Sequence, residues 1–294
     1  MAGGSDGVSR REIDERHGSA GSLGAVGGLG GHVGAPQEHF VPLRDGVVTL
    51  RVLSAGRGAP LVYFHSFHEV EPWSPFLDRL AERFTVYAPV HPGAPGSSGV
   101  ETLDGVYDLT LAYDELFDAL GLANPHLVGH GFGGMAAAET AAVFRRRPAR
   151  LVLVSPLGLW LDQTPSADLL ILPVEELLAA LWADPSSPAA RAWASAPDAD
   201  PDNVPALAAS LQRRSAMAKF VWPIPDRGLA RRLHRIVAPT LLLWGESDRA
   251  NPLVYAEEWQ RRVKGAALRL LPGGHMVIHE QPDAAAAAVT EFLT

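Results

Sequence analysis

The sequence predicts an α/β fold: a mostly parallel sheet flanked by helices, with a helical insertion between two of its strands. Three observations carry this. Short apolar runs, among them Leu61–Phe64, Leu151–Val154 and Thr240–Trp244, alternate along the chain with helix-spaced stretches, as expected of strands covered on both faces. The run Pro125–Gly134 ends on Gly-x-Gly-x-Gly and passes into a stretch without Pro or Gly, Met135 to Arg147, which is how a buried strand, a tight turn and a helix are written. The alternation then breaks off for about 80 residues, Pro156 to Ala238, too long for a structureless loop in a compact domain.

In chain order, residues 1–37 are Gly-rich and of low complexity, and read as a disordered leader. Arg10-Arg11 suggests a twin-arginine signal, but Glu12, Asp14 and Glu15 follow it and a firm apolar core does not. Two β-rich runs, Phe40–Leu43 and Val47–Leu53, flank Arg44-Asp45-Gly46, a hairpin signal. Leu61–Phe64 predicts a buried strand ending in the loop His65-Ser66-Phe67-His68. Phe76–Phe84 predicts a helix with Phe76, Leu77, Leu80 and Phe84 on one face; Phe84–Ala88 is the next strand, before the Pro/Gly-rich turn Pro89–Gly99. Within Leu109–Leu120, Leu109, Tyr113, Leu116, Phe117 and Leu120 fall at helical spacing, and Gly121 stops the helix.

The strand Leu127–His130, a helix from Phe132 and the strand Leu151–Val154 come next. The insertion is dense in Pro and Trp (Trp160, Trp182, Trp193, Trp222), with helices expected at Val174–Trp182, Val204–Phe220 and Arg227–His234. Strand Thr240–Trp244, helix Val254–Val263, strand Leu268–Leu271 and helix Ala284–Leu293 complete the pattern. The expected organisation is therefore a leader (1–37), an α/β core (38–156 and 237–294) and a helical cap, or lid (157–236).

Composition narrows the function. The chain has 294 residues, 47% of them hydrophobic and 20% charged, with a net charge of −8 and no cysteine. No basic stripe exists to neutralise phosphates, which argues against nucleic acid. Arg145-Arg146-Arg147 reads as the end of a helix, where the macrodipole favours positive charge. No stretch reaches the roughly 18 apolar residues of a membrane span. With no disulfide or thiolate chemistry available, a cytoplasmic protein is the expectation.

The candidate chemistry lies at the C-terminal ends of the predicted strands, where an open α/β sheet builds its site. Gly245-Glu246-Ser247-Asp248 follows one strand, and Pro272-Gly273-Gly274-His275 another. With the corner at Gly131 the chain order is elbow, acid, histidine. In such an arrangement the carboxylate fixes the imidazole tautomer and the imidazole serves as general base. His65-x-x-His68-Glu69 invites a metal reading, but a loop offers no fixed helical face and no third ligand is evident. His130 reads as packing or a local hydrogen bond. The glycines of the corner fail the nucleotide-binding count, and no cofactor is expected.

These motifs make residues 40–294 resemble the α/β-hydrolase fold. The elbow Val128-Gly129-His130-Gly131-Phe132-Gly133-Gly134, Leu243-Trp244-Gly245-Glu246-Ser247-Asp248 and Gly273-Gly274-His275 carry the likeness. By that resemblance Asp248 is the triad acid and His275 the triad base. His65-Ser66-Phe67 matches the family's His-Gly-x oxyanion loop, so Phe67 and Phe132 would supply the two backbone N–H donors. Pro89-Val90-His91-Pro92-Gly93 matches its Pro-Asp-x-x-Gly turn, with Val90 in place of Asp. Ser66 stands where the family has Gly, which tightens the approach to the oxyanion or offers it an extra hydroxyl. Gly131 stands where the family has Ser, Asp or Cys as its nucleophile, which by that resemblance removes covalent acyl catalysis from this chain outright.

Three readings follow. The first is a hydrolase-family protein acting on an ester, lactone, amide or C–C bond of a bulky apolar small molecule, with position 131 disabled. In the second, a natural Gly131 leaves a His/Asp-dependent enzyme, either activating water or working as a lyase, isomerase or cyclase. The third is a non-catalytic ligand-binding pseudohydrolase. The retained Asp248 and His275 weigh against the third.

Overall fold

The computed structural model describes residues 34–69, 73–196, 202–221 and 227–294. The leader expected over 1–37 lies outside them as far as residue 33, and Gln37 already belongs to the first strand. Eight strands form one sheet: β1 (Gln37–Leu43), β2 (Val48–Ala55), β3 (Ala59–Phe64), β4 (Phe84–Pro89), β5 (His126–His130), β6 (Leu151–Val154), β7 (Thr240–Gly245) and β8 (Ala267–Leu271). Their order is β1-β2-β4-β3-β5-β6-β7-β8. β1 and β2 pair antiparallel, β2 runs antiparallel to β4, and every later pair is parallel. The β1–β2 register pairs Leu43 with Val48. The connection turns through Arg44, Asp45 and Gly46 at positive φ, a geometry that Asp and Gly tolerate better than most residues.

Helices cover both faces, so the inner strands carry apolar residues on both sides. Buried side chains of α2 (Val106–Ala119), α3 (Phe132–Val143) and α7 (Leu253–Arg262) share one apolar cluster with β2, β5 and β6. On the other face α1 (Pro75–Ala81), α8 (Val277–Glu280) and α9 (Pro282–Leu293) pack on Leu61, Val86, Val128, Val152 and Leu243. α3 is buried from Phe132 through Ala142; its alanines let it lie close on the sheet, where larger side chains would hold it away.

The segment between β6 and β7 contains α4 (Val174–Leu181), α5 (Pro188–Ala194) and α6 (Val204–Val221). The single helix expected at Arg227–His234 is instead two 3-10 turns, Leu229–Arg231 and Leu233–Arg235, entered through Gly228 at φ 90. Trp222 lies outside the described residues. Leu169, Leu177, Leu181 and Trp182 form a third apolar cluster with Ala250 and Met276, residues of the loops after β7 and β8. The described residues fall in one compact unit by their contacts. No helix among the described residues is long and apolar enough to cross a membrane.

Candidate active site

Chain connectivity fixes where a site can form. From β3 the chain goes to β4 on one side and then returns to β5 on the other, so a crevice opens at the C-terminal ends of β3 and β5. The loop His65–Glu69 leaves β3 there, and Gly131 turns the chain from β5 into α3. Gly131 has φ 53 and ψ −113, a conformation open to glycine and strained for other residues. It is held on both sides: its N–H donates to the Val154 carbonyl at 2.9 Å, and its own carbonyl accepts from Leu157 N–H at 3.0 Å. A Cβ on Gly133 would stand 1.9 Å from the Phe64 carbonyl oxygen, so helix and strand meet only where side chains are absent.

Asp248 and His275, far apart in sequence, meet in this crevice, both buried. Nδ1 of His275 donates to Oδ2 of Asp248 at 3.0 Å. Oδ1 accepts from the Asn251 N–H at 2.7 Å, and the Asn251 amide in turn donates to the Pro156 carbonyl at 2.8 Å. With its proton on Nδ1, the imidazole presents a lone pair at Nε2, the tautomer a general base requires. That Nε2 has no hydrogen-bond partner among the described residues. It lies 3.2 Å from the position a Cβ on Gly131 would take.

Behind His275 stands a pair that the sequence did not disclose. His130 is not a local hydrogen-bonding residue: Nδ1 meets Oε1 of Glu69 at 2.8 Å and Nε2 meets the His275 carbonyl at 2.9 Å. The ring thus bridges the Glu69 carboxylate and the backbone of His275. Glu69 also accepts from Tyr63 O–H at 2.7 Å and from Ser66 N–H at 2.8 Å. Burial alone would push its carboxyl up, but hydrogen bonds from His130 and His279 and their charge hold it well below the usual carboxylate range.

The same bonds lock the loop after β3. The Ser66 carbonyl accepts from His65 Nδ1 at 2.9 Å, the Phe67 carbonyl from Arg213 at 3.2 Å and the His68 carbonyl from Trp193 at 2.7 Å. His91, buried below the loop, donates from Nε2 to the His65 carbonyl at 2.9 Å and pairs through Nδ1 with the Tyr113 hydroxyl. Phe67 stacks on Phe132 with ring centroids 5.1 Å apart. Only the hydroxyl of Ser66 is left over: both its backbone groups are bonded, while Oγ is buried with no partner among the described residues.

The metal reading of His65, His68 and Glu69 does not describe this arrangement. The group with mutually close ligand atoms is Glu69, His130 and His279, all within 4.8 Å. Tyr63, Ser66 and His130 already satisfy its carboxylate, so it is a hydrogen-bonded network in this structure. A partly open cavity lies beside the dyad, lined by Phe67, Met135, Leu157, Trp160, Leu169 and Asn251 among others. Its lining does not include His275 or Gly131, which are covered. Of the insertion's tryptophans, Trp160 lines this cavity, Trp182 belongs to the third apolar cluster and Trp193 clamps the His68 carbonyl.

A model of the alpha/beta hydrolase family matches residues 52–288. Among curated proteins, a 2-hydroxy-6-oxo-6-phenylhexa-2,4-dienoate hydrolase of Burkholderia cepacia is 27% identical over 259 residues, spanning 81% of this chain and 89% of that protein. A putative carbamate hydrolase, RutD, of Caulobacter sp. is 28% identical over 255 residues, 83% of this chain and 90% of its own. Of solved structures, a membrane phospholipase A described as a bacterial virulence factor superposes with a TM-score of 0.73 at 24% identity, covering 88% of this chain and 86% of its own. A 2-hydroxy-6-oxo-6-phenylhexa-2,4-dienoate hydrolase from Rhodococcus sp. gives 0.65 at 21% identity, covering 88% and 99%. At these identities the superpositions show a shared fold.

Proposed function

The chain belongs to the alpha/beta hydrolase family, and from that premise we propose that it hydrolyses an ester, lactone, amide or C–C bond next to a carbonyl in a bulky apolar small molecule. The observation that supports this most directly is the state of His275: its proton sits toward Asp248 and its basic Nε2 points, unpartnered among the described residues, at the position above Gly131. His275 is the general base in this reading and Asp248 orients it and steadies its cation. The backbone N–H groups of Phe67 and Phe132 hold the developing oxyanion; Phe132 opens α3, whose first-turn N–H groups have no partner within the helix. The apolar lining under the insertion fits an apolar substrate. Residues 157–236 act as a lid that must open to admit it, since Gly131 and His275 are covered. Relatives named as hydrolases of a phenyl-substituted hexadienoate and of a carbamate are consistent with that substrate class.

A second reading draws on Gly131 itself. With no nucleophile at the elbow, the same dyad could move a proton in a lyase, isomerase or cyclase reaction. Turnover in H₂¹⁸O with a panel of activated esters, lactones and vinylogous diketones separates the two. Hydrolysis places ¹⁸O in the acid product, and His275→Ala lowers kcat/KM by about 10³-fold or more, with Asp248→Asn close to 10⁴-fold. Product formation without ¹⁸O, still dependent on His275, would transfer the assignment to proton-transfer chemistry. Variants that change ligand affinity alone would make the protein a binder.

A further inference from the structure

We propose that Ser66 is the nucleophile of this site, its hydroxyl reaching from the loop after β3 into the position that a side chain on Gly131 would fill. The inference rests on the hydrolytic reading above. The atoms nearest the Cβ position of Gly131 are Ser66 Oγ at 2.5 Å, His275 Nε2 at 3.2 Å and Ser66 Cβ at 3.2 Å. A hydroxyl and the basic nitrogen that would activate it therefore border the same point, and both atoms lack a hydrogen-bond partner among the described residues.

A buried hydroxyl without a partner is costly and uncommon, and calls for an explanation. Here everything else about Ser66 is fixed: its N–H is bound to Glu69, its carbonyl to His65, and the next two carbonyls to Arg213 and Trp193. With these bonds made, χ1 of Ser66 is left to turn the hydroxyl. The proposed step requires that rotation to carry Oγ to Nε2, with the tightening that catalytic hydrogen bonds undergo when substrate arrives. Gly131 is then explained as well. Any side chain there would displace the hydroxyl by contact at 2.5 Å.

The chemistry balances without a further co-reactant. Ser66 Oγ attacks the acyl carbon as its proton passes to His275 Nε2, and the carbonyl π pair moves to the oxygen. Collapse of the tetrahedral species breaks the scissile bond, and the leaving group takes the proton from His275. Water then attacks the acyl–Ser66 ester, giving a proton to His275. The carboxylic acid departs and the proton returns to Oγ.

The test is labelling by a fluorophosphonate followed by peptide mapping, which needs no natural substrate. The unaltered protein is expected to carry the phosphonyl group on Ser66. Ser66→Ala abolishes the label and, on any substrate that gives ¹⁸O-labelled acid, lowers kcat by more than about 10³-fold. The chain has no cysteine, so Ser66→Cys installs a single thiol. Its alkylation by iodoacetamide near pH 6.5 should run at least about tenfold faster with His275 than in the added background of His275→Ala. Phosphonylation at another residue overturns the proposal. So does ¹⁸O-confirmed hydrolysis that survives Ser66→Ala, and that result leaves the hydrolytic reading standing. A thiol in the Ser66→Cys variant whose reactivity ignores His275 also overturns it. If neither label nor hydrolysis is found in the unaltered protein, both readings fall together.

Discussion

Position 131 is defined by what lies around it. The sequence shows a glycine where the resembling family has its nucleophile. In the structure a Cβ at 131 would meet Ser66 Oγ at 2.5 Å. Gly131→Ser alone should therefore push the Ser66 hydroxyl aside and lower stability by about 1–3 kcal/mol, the usual range for overpacking. Pairing it with Ser66→Gly removes the contact and should recover most of the loss, which urea unfolding of the three variants would show. Additive effects, with no recovery in the double variant, would mean that the two positions do not compete. Ser66 was legible as a departure from the family pattern, but its distance from residue 131 was not. The two are far apart in the chain, and only the parallel β3–β5 pairing, Phe64 opposite Gly129, brings their loops together. Asp248 and His275 were easier to find, since each follows an apolar strand in a recognisable turn. The Glu69–His130 pair carried no such signal: Glu69 sits in a loop and His130 ends a strand that reads as buried packing.

Among the elements, sequence periodicity located the strands and core helices to within a few residues, because burial on one or both faces imposes the pattern directly. It was weakest in the insertion. The short stretch Arg227–His234 has helical spacing but too few residues to sustain a helix unaided, and the entry through Gly228 leaves two 3-10 turns. α5 went unpredicted although Ser187 and Pro188 mark its start; the Ser187 hydroxyl accepts from Ala190 N–H at 3.2 Å. The corner between β5 and α3 is the least forgiving element. Gly133→Ala places a methyl 1.9 Å from the Phe64 carbonyl oxygen, a backbone atom that cannot rotate away. Because Phe64 leads directly into the Ser66 loop, the expected result is a protein that is insoluble or loses most of its cooperative thermal transition. A variant that melts with the parent would show that the strand–helix approach is looser than described.

For the molecule as a whole, a crevice rich in buried imidazoles sets a pH limit that composition alone would not suggest. Burial lowers the pKa of His65, pushes that of His68 down to about 3, with the charges of His275, Arg214 and Arg213 adding to it, and holds that of His91 well below its ordinary value. In the unfolded chain all three return to the ordinary 6.5. The sign follows from linkage: a group whose pKa is depressed by folding favours the native state above the unfolded pKa and loses that contribution as pH falls toward the folded one. Each such histidine adds up to about 1.4 kcal/mol of lost stability per pH unit. Glu69, depressed in the same way, adds to the loss only below its ordinary 4.5. Stability from urea midpoints should thus hold level above roughly pH 7.5, because all three imidazoles are neutral in both states there. It should fall progressively from about 6.5 downward, well before carboxylates titrate. His68→Gln removes one of these groups at a position whose Nε2 has no partner among the described residues. The substitution should flatten the slope between about pH 6 and about pH 4 by close to one proton. If the variant and the parent fall with the same slope, His68 is not held neutral by its burial, and the acid limit belongs to other groups.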